Sequence, residues 1–124
     1  MGLADRPFVP DEWVERVDAV LGRLPRCIRE EAWTGTRWRV GNATVAHIFG
    51  GEDQVFRITF RGEGDEAGAF RHLGPPYFHQ YGNAIGMTLD EDTDWDELGE
   101  LLTDSYCVQA PVHLAAEVQR PGPG

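Results

Sequence analysis

Residues 92–111 read DTDWDELGELLTDSYCVQAP and end in Ser105, Tyr106 and Cys107, three side chains able to act as nucleophiles or proton carriers. Each needs partners. A serine nucleophile of the hydrolase kind sits in a G-x-S-x-G frame, which Ser105 lacks. Cys107 follows a helical pattern rather than opening one, so a helix dipole raises its pKa instead of activating it. No Cys–His pairing is visible in the sequence. The carboxylates at 90–104 lie along one helix surface with no base among them, and a solvated face is the default for such a run. His47, His72, His79 and His113 show no H-x-x-x-H spacing and no second ligand of a known zinc pattern, so no metal site is expected. GEGDEAG carries acids where a phosphate loop needs free amides and a lysine, so neither a nucleotide loop nor another cofactor is expected.

Arginine offers the better chemistry. Arg37, Arg39, Arg57 and Arg61, with Arg71 as a fifth member, are the candidate set for nucleic-acid or anion binding, because a planar guanidinium fork matches phosphate. The competing reading is an ordinary sheet face that uses arginine for solubility and edge protection. The aromatic stretch GPPYFHQYGN (74–83) supplies Tyr77, His79 and Tyr81 as a second candidate, a ligand lid; a plug for the core is the favoured reading of the same residues.

These side chains must be held by something. The first 9 residues read as an irregular arm. Pro10 then opens a helix, with Asp11 and Glu12 in its first turn and Trp13, Val14, Val17, Val20, Leu21 and Leu24 as its apolar stripe. TRWRV (36–40), ATVAHIF (43–49) and QVFRITF (54–60) read as strands, and Gly41-Asn42 as a two-residue hairpin turn. Alternation then pairs Val40 with Ala43 and Trp38 with Val45. It places Trp38, Val45, His47 and Phe49 on one face, and Arg37 and Arg39 with Thr44, Ala46 and Ile48 on the other. In the third strand Phe56, Ile58 and Phe60 face the core, leaving Arg57, Thr59 and Arg61 outside. AIGMTLD (84–90) reads as a last strand. A helix follows from about Asp94, capped by Thr93 or Asp92 and buried through Trp95, Leu98, Leu101 and Leu102, and PVHLAAEVQR (111–120) reads as a short final helix. The expectation is an α+β, two-layer fold: an antiparallel sheet of about five strands with the N- and C-terminal helices packed on one face. Residues 10–118 form one domain in this reading, and 119–124 a disordered tail.

Bulk composition agrees. The chain has 124 residues, 41% of them hydrophobic and 26% charged, as ordinary globular domains do. Cys27 and Cys107 are too few for a disulfide framework. The opening MGLADRPFVP has no apolar signal region, and no apolar run approaches a membrane span, so a cytoplasmic protein with no membrane partner is expected. The formal charge is −10, but eight acids and no base lie between Asp90 and Asp104, leaving only −2 for the remainder. The total therefore says little about the sheet.

The layout resembles the MmcQ/YjbR-like proteins, small bacterial domains whose fold is similar to that of frataxin and of type III secretion chaperones. The first helix ending in LGRLP carries the resemblance, with the hairpin RWRVGNATVAHIF, the segment GPPYFHQYGNAIGMTLD and above all DWDELGELLTDSYCVQAP. It covers roughly residues 10–118. The resemblance implies a DNA-binding surface of "double wing" type. It also brings the borrowed name phosphoribosylglycinamide formyltransferase, for which this chain lacks a catalytic Asn–His–Asp set. The family often carries lysine-rich hairpins; here arginines occupy the hairpin and no lysine occurs anywhere. Two readings stand side by side: a non-enzymatic domain contacting DNA through the arginine face, and a binding or adaptor module for a protein or small ligand, able to form a homodimer.

Overall fold

A computed structural model describes residues 6–118. The elements are α1 (Asp11–Leu21), β1 (Cys27–Glu31), β2 (Thr36–Val40), β3 (Ala43–Gly50), β4 (Phe56–Arg61), α2 (Gly64–Ala69) with a 3-10 turn at Phe70–His72, β5 (Tyr77–Tyr81), β6 (Ala84–Leu89), α3 (Trp95–Gln109) and α4 (Val112–Ala115). The strands form one antiparallel sheet in the order β1-β2-β3-β4-β6-β5. Helices α1 and α3 pack on each other, and α3 covers β3 and β4, so the core lies between one helical layer and one sheet face. Residues 6–10 are neither helix nor strand; the first five residues of the expected arm and the expected tail at 119–124 lie outside the described residues. Among the described residues no helix is long and apolar enough to cross a membrane.

The helices follow their sequence signals. Val14, Val17 and Leu21 of α1 and Leu98 and Leu102 of α3 are buried, at a gain of roughly 1.5–3 kcal/mol each. The cap of α3 is Asp94, one step beyond the expected Thr93 or Asp92: its carboxylate accepts the Glu97 N–H at 3.0 Å. Thr93 is occupied elsewhere, its hydroxyl accepting the Asp90 N–H at 2.8 Å.

The sheet has six strands where about five were expected. CIREE carries no strand pattern in the sequence, because only Cys27 and Ile28 are apolar and the three residues after them are charged. It pairs with β2 across a turn in which Gly35 is indispensable. Gly35 has φ +74°, and a Cβ there would lie 1.9 Å from the Ile48 carbonyl oxygen. Within the aromatic stretch, Tyr77–Tyr81 form a further strand, β5.

The β2–β3 register departs from the simple hairpin. Val40 pairs with Ala43 as expected and Arg39 with Thr44, but Trp38 pairs with Ala46. Val45 is the extra residue of a β-bulge. Beyond it the expected faces reverse. Ala46 and Ile48 join Trp38 in the core, all fully buried, while His47 and Phe49 turn outward beside Arg37. The third-strand alternation holds: Ile58 and Phe60 are buried, and Arg57, Thr59 and Arg61 face out. A hydrogen bond from Trp38 Nε1 to Asp18 at 2.9 Å satisfies the buried indole.

Candidate functional site on the outer sheet face

The bulge explains the serine and tyrosine at the end of α3. Continuing the β3–β4 register from Ala46–Phe60 would set Val45 opposite Arg61, but the bulge separates them. The Ser105 hydroxyl fills the gap. It accepts the Arg61 N–H at 2.8 Å and donates to the Val45 carbonyl at 2.7 Å, with no exposed surface. Gln109 donates to the neighbouring Thr44 carbonyl at 2.9 Å. Tyr106, fully buried, donates to the Pro25 carbonyl at 2.5 Å and ties α3 to the chain after α1. Each polar group is thus consumed in joining α3 to the sheet and to the chain after α1. Cys107 is buried beside them, and Cys27 has its thiol pushed up to about 11, by burial first and Asp18 second. Both states suit packing rather than nucleophilic attack.

The outer sheet face brings Arg37, Arg39, Arg57 and Arg61 together, as alternation predicts, but gives them different partners. Arg37 and Arg39 both bond Glu30, the residue opposite Arg37 on β1. Arg39 also donates to the Gly41 carbonyl at 2.6 Å. The two guanidinium groups hold the Glu30 carboxyl below its ordinary range, Arg39 contributing most. Arg57 forms a two-pronged pair with Asp53 at 3.0 and 2.6 Å and, with the Val55 N–H, lowers that carboxyl to about 2. Arg61 has a neutral setting: it donates to Asn83 Oδ1 at 3.1 Å, and its guanidinium carbon lies 5.9 Å from the Tyr81 ring centroid.

Arg71 does not join this face. It lies in the 3-10 turn and points its guanidinium at His79 Nδ1, 3.5 Å away, while His79 Nε2 meets the Gly82 carbonyl at 2.8 Å. Nor do Tyr77, His79 and Tyr81 act together. Tyr77 pairs with buried Met87, stacks edge-on against Phe70 and donates its hydroxyl to Glu97. Burial and then that carboxylate raise its pKa to about 12. Tyr77 is therefore the core plug of the expectation, with His79 on the same side. A second register shift, between His79 and Tyr81, turns Tyr81 outward to Arg61.

Around Arg61 the outer face dips into a hollow of about 340 Å³, lined by Arg6, Arg37, Thr44, His47, Thr59 and Tyr81 among others. His47 is fixed by a 2.5 Å hydrogen bond to the Thr34 carbonyl and lies against Phe49, ring centroids 4.8 Å apart. Arg6 is anchored to the end of β3 through the Gly50 carbonyl at 3.2 Å, with Glu52 at 3.5 Å. Guanidinium, imidazole and hydroxyl groups around one concavity can bind an anion and orient it by several donors. Sequence reasoning missed His47, Phe49, Arg6 and Asn83. The first two were assigned to the core because the bulge was not visible, and the others carry no pattern. Among the described residues no group of three or more His, Cys, Asp and Glu is placed to hold a metal ion.

The geometry can be set beside known proteins. A family model described as YjbR matches residues 22–108, from the end of α1 through the Ser105–Tyr106 pair. The crystal structure of Deinococcus radiodurans protein DR2400, which carries a DUF419 domain, is similar with a TM-score of 0.62 at 20% identity, covering 87% of this chain and 88% of that one. At that identity the likeness speaks for the fold alone. No curated protein matches the chain. The matched span takes in all six strands and the helix that braces the bulge, and the chain belongs to the YjbR family.

Proposed function

We propose that this protein is a binding domain that takes a small anionic ligand on the outer face of its sheet, in the hollow around Arg37, His47 and Arg61. The observation that carries the reading is Arg61. It lines a concavity, it is pre-oriented by Asn83 and Tyr81, and among the described residues no carboxylate pairs with it. Thr44, Thr59 and His47 add polar groups on the same wall. A site of this size suits a phosphate or carboxylate group rather than a long polyanion.

Duplex DNA is the second reading, favoured by four arginines sharing one face. Its electrostatics are weak, because Glu30 and Asp53 already occupy three of them. A protein partner on the same face, a second copy included, would have to match that mosaic of ion pairs. A cytoplasmic setting fits the two free thiols.

Calorimetric titration with inorganic phosphate and pyrophosphate, beside a labelled duplex at low salt, tests the reading. The expected result is saturable anion binding by the wild type that Arg61→Gln weakens at least tenfold, with duplex retention weak and lost on adding salt. Anion binding that is absent, or indifferent to Arg61→Gln, overturns it. Tight duplex binding with a steep salt dependence would install the second reading in its place.

A further inference from the structure

The anion hollow does not end at its own rim. A second hollow, of about 500 Å³, adjoins it and shares Arg6 and Thr34 with it. Its wall includes Phe8 of the N-terminal arm and Trp33 of the β1–β2 turn. These are the two most exposed aromatic side chains of the described residues, 97% and 98% accessible. The other tryptophans are not comparable: Trp38 is fully buried, and Trp13 packs against both Trp95 and Phe56. Leaving two large rings this bare sacrifices their burial energy, and such pairs on a concave surface mark contact sites. The turn that carries Trp33 is also rigidly placed. Gly35 allows it to sit on the Ile48 carbonyl, and the Thr34 carbonyl is bonded to His47, which itself lines the first hollow.

The two hollows differ in chemistry. The first presents Arg61, Arg37 and hydroxyl groups. The second presents two rings with the carboxylates of Asp11 and Glu31, while its Arg29 is already engaged by Glu15 and Asp18. Carboxylates repel a phosphate but accept hydrogen bonds from ring amino groups and sugar hydroxyls. We infer that the ligand is a nucleotide unit, with its phosphate at Arg61 in the first hollow and its base against Trp33 and Phe8 in the second. This rests on the anion reading above and adds the class of ligand to it. Arg6, common to both hollows, lies where the two parts of such a ligand join.

Titrations of the full chain with inorganic phosphate, adenosine monophosphate and a short single-stranded oligonucleotide separate the possibilities. The wild type should bind the monophosphate about tenfold more tightly than phosphate, the contribution of one stacked base. Trp33→Ala should bring the monophosphate down to the phosphate level and leave phosphate itself unchanged, and Trp33→Phe should restore most of the difference. Since Trp33 is solvent-exposed, the variant folds normally, which a thermal melt checks. Phosphate that binds while the monophosphate binds no tighter, or a tenfold preference that survives Trp33→Ala, overturns the inference and leaves the anion site standing. Failure of both phosphate and monophosphate to bind removes the anion site and the inference with it. An oligonucleotide tighter than the monophosphate assigns the unit to a strand, and one that is not assigns it to a free nucleotide; both uphold the inference.

Discussion

Arg57 and Arg61 lie on the same strand, four residues apart, and face the same way, yet they are chemically unlike. Arg57 is locked to Asp53 by two hydrogen bonds, and Arg37 and Arg39 share Glu30 in the same manner. Arg61 is held by an amide oxygen and an aromatic ring, which orient the guanidinium without cancelling its charge. Exposed ion pairs add little to stability, but each pair is neutral to anything a Debye length away. The number of arginines on a face is thus a poor guide to the charge that face offers. Partner identity decides it, and of these four arginines only Arg61 has no carboxylate partner among the described residues.

That contrast can be broken most forcefully from behind. Ser105→Ala should leave the Arg61 N–H and the Val45 carbonyl without their shared partner and cost about 2–6 kcal/mol of stability in denaturant unfolding, since each stranded buried group costs about 1–3. Phosphate affinity should fall with it, because the backbone that carries Arg61 is no longer pinned. A change under about 0.5 kcal/mol would mean that Ser105 does not bridge the bulge.

Next in size is the pair Arg61→Gln and Arg57→Gln. The first should lower phosphate affinity at least tenfold with little change in melting temperature, and the second less than twofold, as expected if only an unneutralised charge binds. Equal losses would erase the distinction drawn between them.

Glu30→Gln sharpens the comparison from the other side. Releasing Arg37 and Arg39 should raise low-salt retention of a duplex several-fold and steepen its salt dependence by roughly one to two phosphate contacts. An unchanged salt slope would show that the ion pairs are not what restrains the face.

The smallest effect is in acid. The Asp53 carboxyl is held at about 2, against its ordinary 3.8, mainly by Arg57. Its folded pKa is depressed, so its stabilising contribution is fully present above about 3.8 and is lost as pH falls through about 2. The stability advantage of the wild type over Asp53→Asn should therefore be constant at neutral pH and close between pH 4 and 2, as read from denaturation midpoints across that range. An advantage that persists below pH 2 would place it elsewhere than in the ion pair.

Local pattern was enough for much of the architecture. The periodicity of Val14, Val17 and Leu21, the alternation of Ile58 and Phe60 with Arg57 and Arg61, and the Gly41-Asn42 turn are short-range signals, and the structure honours each of them. Within DWDELGELLTDSYCVQAP, which carries the resemblance to the family, Ser105, Tyr106 and Gln109 fasten α3 to the bulged strand and to the chain after α1. What escaped was non-local. CIREE has too few apolar residues to announce a strand, and becomes one because β2 offers it an edge and because Glu30 meets Arg37 across it.

By itself, then, the sequence determined the α+β layering, the inward and outward sides of β4 and the outward arginines, all of which follow from the period of side chains along a chain. Only the tertiary structure decided which arginine of the outer face is held by neutral groups rather than by a carboxylate among the described residues. One extra residue, Val45, reverses the faces of β3 and brings His47 and Phe49 out beside Arg37. Glu30 and Asp53 reach their arginines through a strand pairing and a turn, while Asn83 and Tyr81 reach Arg61 from a hairpin some 20 residues away. A side-chain period is a property of neighbours along the chain. A charge is neutralised by neighbours in space, and those exist only once the sheet has closed.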